Sequence, residues 1–148
     1  MANSYTCVLL HIVFSTKNRE NLIDPALAPK LYGYLNGACK GVGCPLVVAG
    51  GVHDHVHLLV SFGKTISMAD LLKEIKKESS KWMKLQGAKQ FAWQDGYGAF
   101  SIGESQRTTV ERYIANQQKH HARMTFTEEL ELMLKKYRVI YDPRYMLG

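Results

Sequence analysis

The 148-residue sequence is poor in the features that mark secreted and membrane proteins. It has three cysteines, an odd number, and no signal peptide precedes them, so all three are predicted to be free thiols outside any disulfide framework. No apolar run approaches the roughly 20 residues that a membrane span requires. The start of the chain has neither the basic segment nor the cleavage pattern of a secretory signal, and we therefore expect a cytoplasmic protein without membrane contact.

The composition is that of an ordinary globular protein. Hydrophobic residues make up 46% of the chain and charged residues 22%, which excludes a disordered or low-complexity protein. The length fits a single domain, because domains typically hold roughly 100–150 residues, and it is too short for a TIM barrel. The formal net charge of +6 is compatible with a polyanionic partner and equally with a basic soluble protein that has none.

Hydrophobic periodicity and turn residues predict an order of strand, helix, strand, strand, helix, strand and then further helices. The predicted strands cover residues 5–14, 46–49, 56–62 and 91–102, and a turn or bulge is expected at Gly50-Gly51. The predicted helices cover about 27–41, 67–87, 105–121 and 125–137. Ser67 and Ser105 are predicted N-caps, and Thr125 and Glu128 have the spacing of a capping box.

This order is the split βαβ, or ferredoxin-like, pattern. It predicts an α+β fold with a ferredoxin-like βαββαβ core, an antiparallel sheet, and an added C-terminal helix carrying a tyrosine. Helices are expected on one face of the sheet, leaving the other face for a partner or ligand. We expect one domain over residues 1–148, with the core at about 4–103, a helix at about 105–121 and a C-terminal helix and tail at 125–148.

The run His53-Asp54-His55-Val56-His57 is the sharpest chemical feature of the chain. Side chains alternate between faces along a strand, so His53, His55 and His57 are predicted to share one face. Imidazoles arranged in this way can hold a divalent metal, although surface histidines of a sheet have the same pattern. Asp54 could orient one of these histidines, but the alternation predicts it on the opposite face.

A second feature lies on the predicted helix after Ser105. Tyr113 and Gln117 are one helical turn apart and share a face. A phenol can act as a nucleophile when a metal or base assists its deprotonation, and the amide oxygen of Gln117 could serve as a metal ligand. The alternative is a half-buried tyrosine beside a solvated glutamine.

Together the two features resemble the motifs of a known family. His55-Val56-His57 resembles the His-hydrophobic-His signature, and Tyr113-Ile114-Ala115-Asn116-Gln117 the tyrosine helix, of single-tyrosine HUH transposases of the TnpA insertion-sequence type and of the related REP-associated tyrosine transposases. The segments WQDGYGAFSI (93–102), QKHH (118–121) and TFTEE (125–129) are also similar to segments of that family. The resemblance spans nearly the whole chain.

The resemblance implies a transposase that cleaves and rejoins single-stranded DNA bearing hairpin ends. His55, His57 and Gln117 would bind Mg²⁺ or Mn²⁺ rather than zinc, and Tyr113 would attack the scissile phosphate, giving a 5′-phosphotyrosine and a free 3′-hydroxyl. The family also implies a homodimer in which the tyrosine helix of one subunit acts in trans on the histidines of the other.

Contacts with DNA phosphates are assigned to basic side chains, for which a solvated helix face is the alternative. The candidates are Lys73, Lys76, Lys77, Lys81, Lys84, Arg112 and His120. Two other functions fit the sequence. One is a domesticated, hairpin-binding HUH nuclease without transposition, and the other is a small hydrolase in which His53, His55 and His57 hold Zn²⁺ and Tyr113 is dispensable.

Overall fold

A four-stranded antiparallel sheet lies at the centre of the molecule, with strand order β2-β3-β1-β4. The computed structural model describes residues 3–144 and 146. The strands are β1 Leu9–Ser15, β2 Leu46–Val52, β3 His55–Ser61 and β4 Gly98–Ile102. The helices are α1 Ala28–Gly41, α2 Met68–Leu85, α3 Arg107–Ala115, α4 Gln117–His120 and α5 Phe126–Lys136, and short 3₁₀ turns cover Lys17–Arg19 and Glu104–Gln106. The predicted α+β fold with an antiparallel sheet is confirmed.

One face of the sheet carries the main apolar core. Alternate residues of the two central strands point to this face and pack against α1 and α2. They are Leu10, Ile12 and Phe14 of β1 and Val56, Leu58 and Val60 of β3. Every residue of β1 is buried, because this strand has a sheet neighbour on each side and helices on both faces.

The opposite face of the sheet is covered by the C-terminal helices of the same chain. Phe126, Leu130 and Met133 of α5 pack on Val13, while Ile114 of α3 packs on the residues around Leu59. The prediction that helices occupy only one face is therefore wrong. Both α3 and α5 have apolar stripes, and these stripes bury the second face within the chain.

Three predicted boundaries also differ from the structure. The last strand begins only at Gly98. The preceding Trp93 pairs with Thr16 through an isolated bridge, and the carbonyls of residues 94–96 accept from the Nζ of Lys76 at 2.9, 3.1 and 2.7 Å. The first strand begins at Leu9, and Tyr5 is exposed. Gly50 and Gly51 continue β2, so the turn lies at His53 and Asp54 instead.

The helix predicted over 105–121 is split in two. Ser105 lies in the 3₁₀ turn before α3 and does not cap it, so that prediction is wrong. Asn116 ends α3 with φ −101° and ψ 23°, and α4 follows directly. The other two caps are confirmed: Ser67 accepts from the N–H of Asp70 at 3.1 Å, and Thr125 forms a capping box with Glu128. Over the residues that the structure describes, no helix has the length and apolarity needed to cross a bilayer.

Gly50 lets α3 approach the sheet closely. A Cβ atom at this position would collide with the backbone carbonyl of Ile114, which has no flexible end that could move aside. We expect Gly50→Ala to displace α3 and to lower the free energy of unfolding by about 1–3 kcal/mol, the usual cost of overpacking. Urea unfolding followed by circular dichroism measures this change.

The matched control for this substitution is Gly37→Ala. Gly37 lies exposed in α1, and a Cβ atom at this position would have nothing within 4 Å. Because alanine has the higher helix propensity, this variant should gain about 0.5–1 kcal/mol. Equal effects of the two substitutions would contradict the close approach of α3.

A candidate active site of histidines, Glu129 and Tyr113

His55 and His57 lie on β3, on the face that α3 and α5 cover, and both are fully buried. The Nδ1 atom of His55 is 2.7 Å from a carboxylate oxygen of Asp54, and the Nδ1 atom of His57 is 2.8 Å from Nε2 of His11. Each ring is therefore held through one nitrogen, so that its Nε2 atom points into a common space. Such orientation of both rings is what two ligands of one metal ion require.

Glu129 of α5 occupies that common space. Its Oε1 atom is 2.8 Å from Nε2 of His57, 2.9 Å from Nε2 of His121 and 3.5 Å from Nε2 of His55. Its Oε2 atom accepts a hydrogen bond from the phenol of Tyr113. Glu129 is only 1% exposed, so its carboxylate connects the histidines to the tyrosine away from water.

Gln117 and His120 complete the surroundings of the phenol. The side-chain oxygen of Gln117 is 3.2 Å from Nε2 of His55, and its nitrogen donates to Oε2 of Glu129 at 3.3 Å. Nε2 of His120 is 3.3 Å from the oxygen of Tyr113. The predicted neighbourhood of Tyr113 and Gln117 is thus present, although Asn116 separates them into two helices.

The burial of these groups changes their pKa values. Burial lowers the pKa of His57 from 6.5 to about 4, and burial followed by repulsion from His57 lowers that of His11 to about 3. Burial alone would raise the pKa of Glu129, but hydrogen bonds from His121 and His57 outweigh it and hold the pKa below its usual value. Burial and the nearby Glu129 raise the pKa of Tyr113. At neutral pH the site therefore contains an ionised carboxylate and a protonated phenol.

The side chains fit a divalent cation. Within the described part of the chain, His55, His57, His121 and Glu129 offer ligand atoms that all lie within 4.8 Å of one another. Ligand atoms about 2.1 Å from one ion, at tetrahedral or octahedral angles, are about 3.0–3.4 Å apart. The nitrogen-to-carboxylate separations of 2.8–3.5 Å match this spacing.

His53 does not join this cluster. It lies exposed in the turn between β2 and β3, where the alternation of a strand no longer applies. The prediction that three histidines share one face is therefore wrong, and so is the hydrolase site built on His53, His55 and His57. The turn also brings Asp54 to His55, which the alternation did not predict.

Three residues of the cluster were not identified as site residues from the sequence: His11, His121 and Glu129. His121 and Glu129 lie in the segments QKHH and TFTEE, which are similar to segments of the family. That similarity gave neither residue a role as a metal ligand. His11 gives no local signal, because its place beside His57 depends on the pairing of β1 with β3.

A cavity of about 280 Å³ lies beside the phenol. Tyr113, His120 and Glu129 contribute to its wall, together with His11 and Lys136. The phenol and its partner Glu129 thus border the same open space.

The predicted DNA-contacting residues fall into two groups. Lys73, Lys77, Lys81 and Lys84 are exposed on α2, on the opposite side of the sheet from the histidines. Lys76 is half-buried, with its ammonium group bound to three carbonyls. Arg112 is exposed on α3, in the same layer as Tyr113 and His120. Of the predicted DNA-contacting residues, Arg112 and His120 lie in the same layer as the candidate active site, whereas the five lysines belong to α2 on the other side of the sheet.

Comparison with known proteins gives matches over most of the chain. The model of the family described as "Transposase IS200 like" matches residues 4–117. The ISDra2 transposase TnpA of Deinococcus radiodurans is 25% identical over 116 residues, a match that covers 72% of this chain and 81% of that protein.

Two solved structures have a similar fold. A crystal structure described as a transposase of Deinococcus radiodurans matches with a TM-score of 0.60 and 24% identity, covering 79% of this chain and 96% of that one. A REP-associated tyrosine transposase bound to a REP hairpin matches with a TM-score of 0.56 and 14% identity, covering 77% of this chain and 68% of that one. At these identities the structural likeness shows the fold.

We expect the free energy of unfolding of the metal-free protein to fall as the pH is lowered from 7 to 5. The pKa values of His11 and His57 in the folded protein, about 3 and about 4, lie below 6.5, so the unfolded chain takes up protons first. Each group costs about 1.4 kcal/mol per pH unit below 6.5, until the pH reaches its folded value. The raised pKa of His121 opposes part of this loss.

Urea unfolding in the presence of a chelator at pH 7, 6 and 5 measures this dependence. His11→Gln should reduce the slope by about one proton. A free energy of unfolding that stays constant or rises toward pH 5 would contradict the neutral, buried state of His11 and His57.

Proposed function

Since the chain belongs to the IS200-like transposase family, we propose that it cleaves and rejoins single-stranded DNA through a 5′-phosphotyrosine formed at Tyr113. The observation that carries this proposal is the contact of the Tyr113 phenol with Glu129, whose other oxygen is in contact with His57. The carboxylate of Glu129 thus connects the proposed nucleophile to His57, one of the paired histidines.

Different residues of the chain have different proposed roles in cleavage. Asp54 and His11 hold the rings of His55 and His57, which would bind the cation together with Gln117. Mg²⁺ or Mn²⁺ bound at these residues would supply positive charge to the oxygens of the scissile phosphate.

Attack forms a bond between the phenol oxygen of Tyr113 and phosphorus and breaks the bond from phosphorus to the 3′ oxygen. The phenol proton leaves along its hydrogen bond to Oε2 of Glu129 and is released to solvent, and the 3′ oxygen takes a proton from solvent. The reverse attack by the 3′-hydroxyl of another strand rejoins the DNA, so strand exchange needs no external source of energy.

DNA with hairpin ends is the proposed substrate. A similar fold is found in the REP-associated tyrosine transposase that was solved bound to a REP hairpin. The exposed lysines of α2 lie on the face of the molecule away from Tyr113, which suits them to a hairpin stem rather than to the strand being cut. His120 is next to the phenol, and Arg112 is exposed on the same helix as Tyr113; both are assigned to the cut strand.

A homodimer with the tyrosine acting in trans is the assembly proposed from the family resemblance. In the single chain, Tyr113 packs on the histidines of its own β3, so all the site residues come from one copy. A trans arrangement would need α3 to α5 to exchange between two copies. The chain before α3 contains Gly103, a residue that can accommodate such a change of direction.

Replacing Tyr113 with Phe removes the nucleophilic oxygen and should abolish the covalent protein–DNA adduct. The measurement is a denaturing gel of the protein after incubation with single-stranded DNA carrying a family-type hairpin end and Mn²⁺. Tyr34→Phe is the matched control, because Tyr34 stacks on Trp82 in the other helical layer. An adduct formed by the Tyr113→Phe variant would refute the assignment of the nucleophile.

The same assay separates the cis and trans arrangements. Mixing Tyr113→Phe with His57→Ala restores adduct formation only when the tyrosine of one copy serves the histidines of another. If the mixture stays inactive while each variant is folded, the tyrosine acts within its own chain.

Replacing Lys81 and Lys84 with Gln should weaken DNA binding uniformly over different sequences. If both lysines bind phosphates, the slope of log K against log salt falls by about 0.7–0.9 for each phosphate that is no longer neutralised. Fluorescence anisotropy over a series of salt concentrations measures this slope. Lys135→Gln, which removes an exposed charge paired with Glu131, is the control. An unchanged slope would assign the α2 lysines to a solvated face.

A further inference from the structure

Glu129 has a position that neither the two motifs nor the family match explains. It belongs to α5, which follows residues 4–117, the range that the family model covers. It is 1% exposed, and taking an ionised carboxylate out of water costs several kcal/mol unless partners compensate for it. Its location therefore needs a physical reason.

Local structure places this carboxylate firmly. The capping box of Thr125 and Glu128 fixes the start of α5, and Phe126 and Leu130 anchor the helix in the apolar cluster on β1 and β4. Glu129, between these two anchors, must then point toward β3. The capping box and the apolar contacts hold α5 in place. The side chain of Glu129 is therefore positioned beside the histidines by a helix rather than by a loop.

The two oxygens of the carboxylate have different partners. Oε1 faces three imidazole nitrogens, those of His55, His57 and His121, at 2.8–3.5 Å. Oε2 faces Tyr113, His120 and the amide nitrogen of Gln117. The carboxylate thus has one oxygen directed to the candidate ligands and one directed to the nucleophile.

We propose that Glu129 is a ligand of the divalent cation through Oε1 and at the same time holds the phenol of Tyr113 through Oε2. This inference rests on the proposed function and extends it, because it adds an anionic ligand to His55, His57 and Gln117. A set of two or three imidazoles with one carboxylate binds Mn²⁺ and Co²⁺ more tightly than Mg²⁺. Tyr113 is thereby positioned by the same group that holds the cation.

Titration of the DNA-free protein with Co²⁺ tests the ligand, with the visible absorption of the bound ion as the readout. Glu129→Gln keeps the size of the side chain and removes its charge, and it should weaken Co²⁺ binding by about tenfold or more and change the absorption spectrum. Glu131→Gln is the matched control on the same helix, because Glu131 is paired with Lys135 outside the site. Wild-type affinity and an unchanged spectrum for Glu129→Gln would overturn the proposal.

Crystals of the wild-type protein soaked in Co²⁺ give a second test that does not depend on how the variant folds. Anomalous scattering locates the ion, and we expect Oε1 of Glu129 at about 2.1 Å from it. Oε2 should remain within hydrogen-bond distance of the Tyr113 phenol. An ion bound by His55 and His57 with the carboxylate turned away from it would overturn the proposal.

These tests fail independently of the proposed function. Co²⁺ binding by Glu129 without any DNA adduct would leave the ligand in place and refute the strand-transfer activity. An adduct formed at Tyr113, together with Co²⁺ binding that ignores Glu129, would establish the activity and refute the ligand.

Discussion

An ionised carboxylate enclosed away from water constrains the whole C-terminal half of the molecule. Glu129 is stable in that place only because hydrogen-bond donors surround it, and the donors come from separate elements. His57 comes from β3, Tyr113 from α3, Gln117 from α4 and His121 from the chain just after α4. Moving any of these elements would leave the charge with fewer partners. The polar site therefore acts as a structural contact between the sheet and its second layer of helices.

The two layers of helices are consequently held on the sheet by different interactions. Helices α1 and α2 pack on the sheet through a continuous apolar core, which has no preferred direction. Helices α3 to α5 bury two small apolar clusters and depend in addition on directional hydrogen bonds to Glu129. Directional contacts fix distances between named atoms, and the proposed attack by Tyr113 would need such fixed distances.

How much of this site could be predicted from the sequence depends on how far apart along the chain the interacting residues are. The pairing of His55 with His57 follows from the period of two in a strand, and Ser67 and Thr125 follow from local capping chemistry. The family indicated by the His55 and Tyr113 motifs is confirmed. His11 and Glu129 could not be assigned roles, because His11 reaches His57 only through the strand register and Glu129 is 72 residues from it along the chain. The carbonyls just before β4 likewise bind Lys76, a residue of another element.

The position of Glu129 also bears on when Tyr113 can react. Burial and the negative charge of the neighbouring carboxylate raise the pKa of the phenol, so the tyrosine is held protonated. A cation bound at Oε1 would draw this charge toward the histidines and weaken its effect on the phenol. Ion binding and activation of the nucleophile would then be coupled through one side chain. Such a coupling requires the carboxylate to be buried, because water at Oε2 would screen the phenol from the charge at Oε1. The burial of Glu129, which is costly for the fold, is thus the condition under which a cation bound at Oε1 and the tyrosine would influence each other.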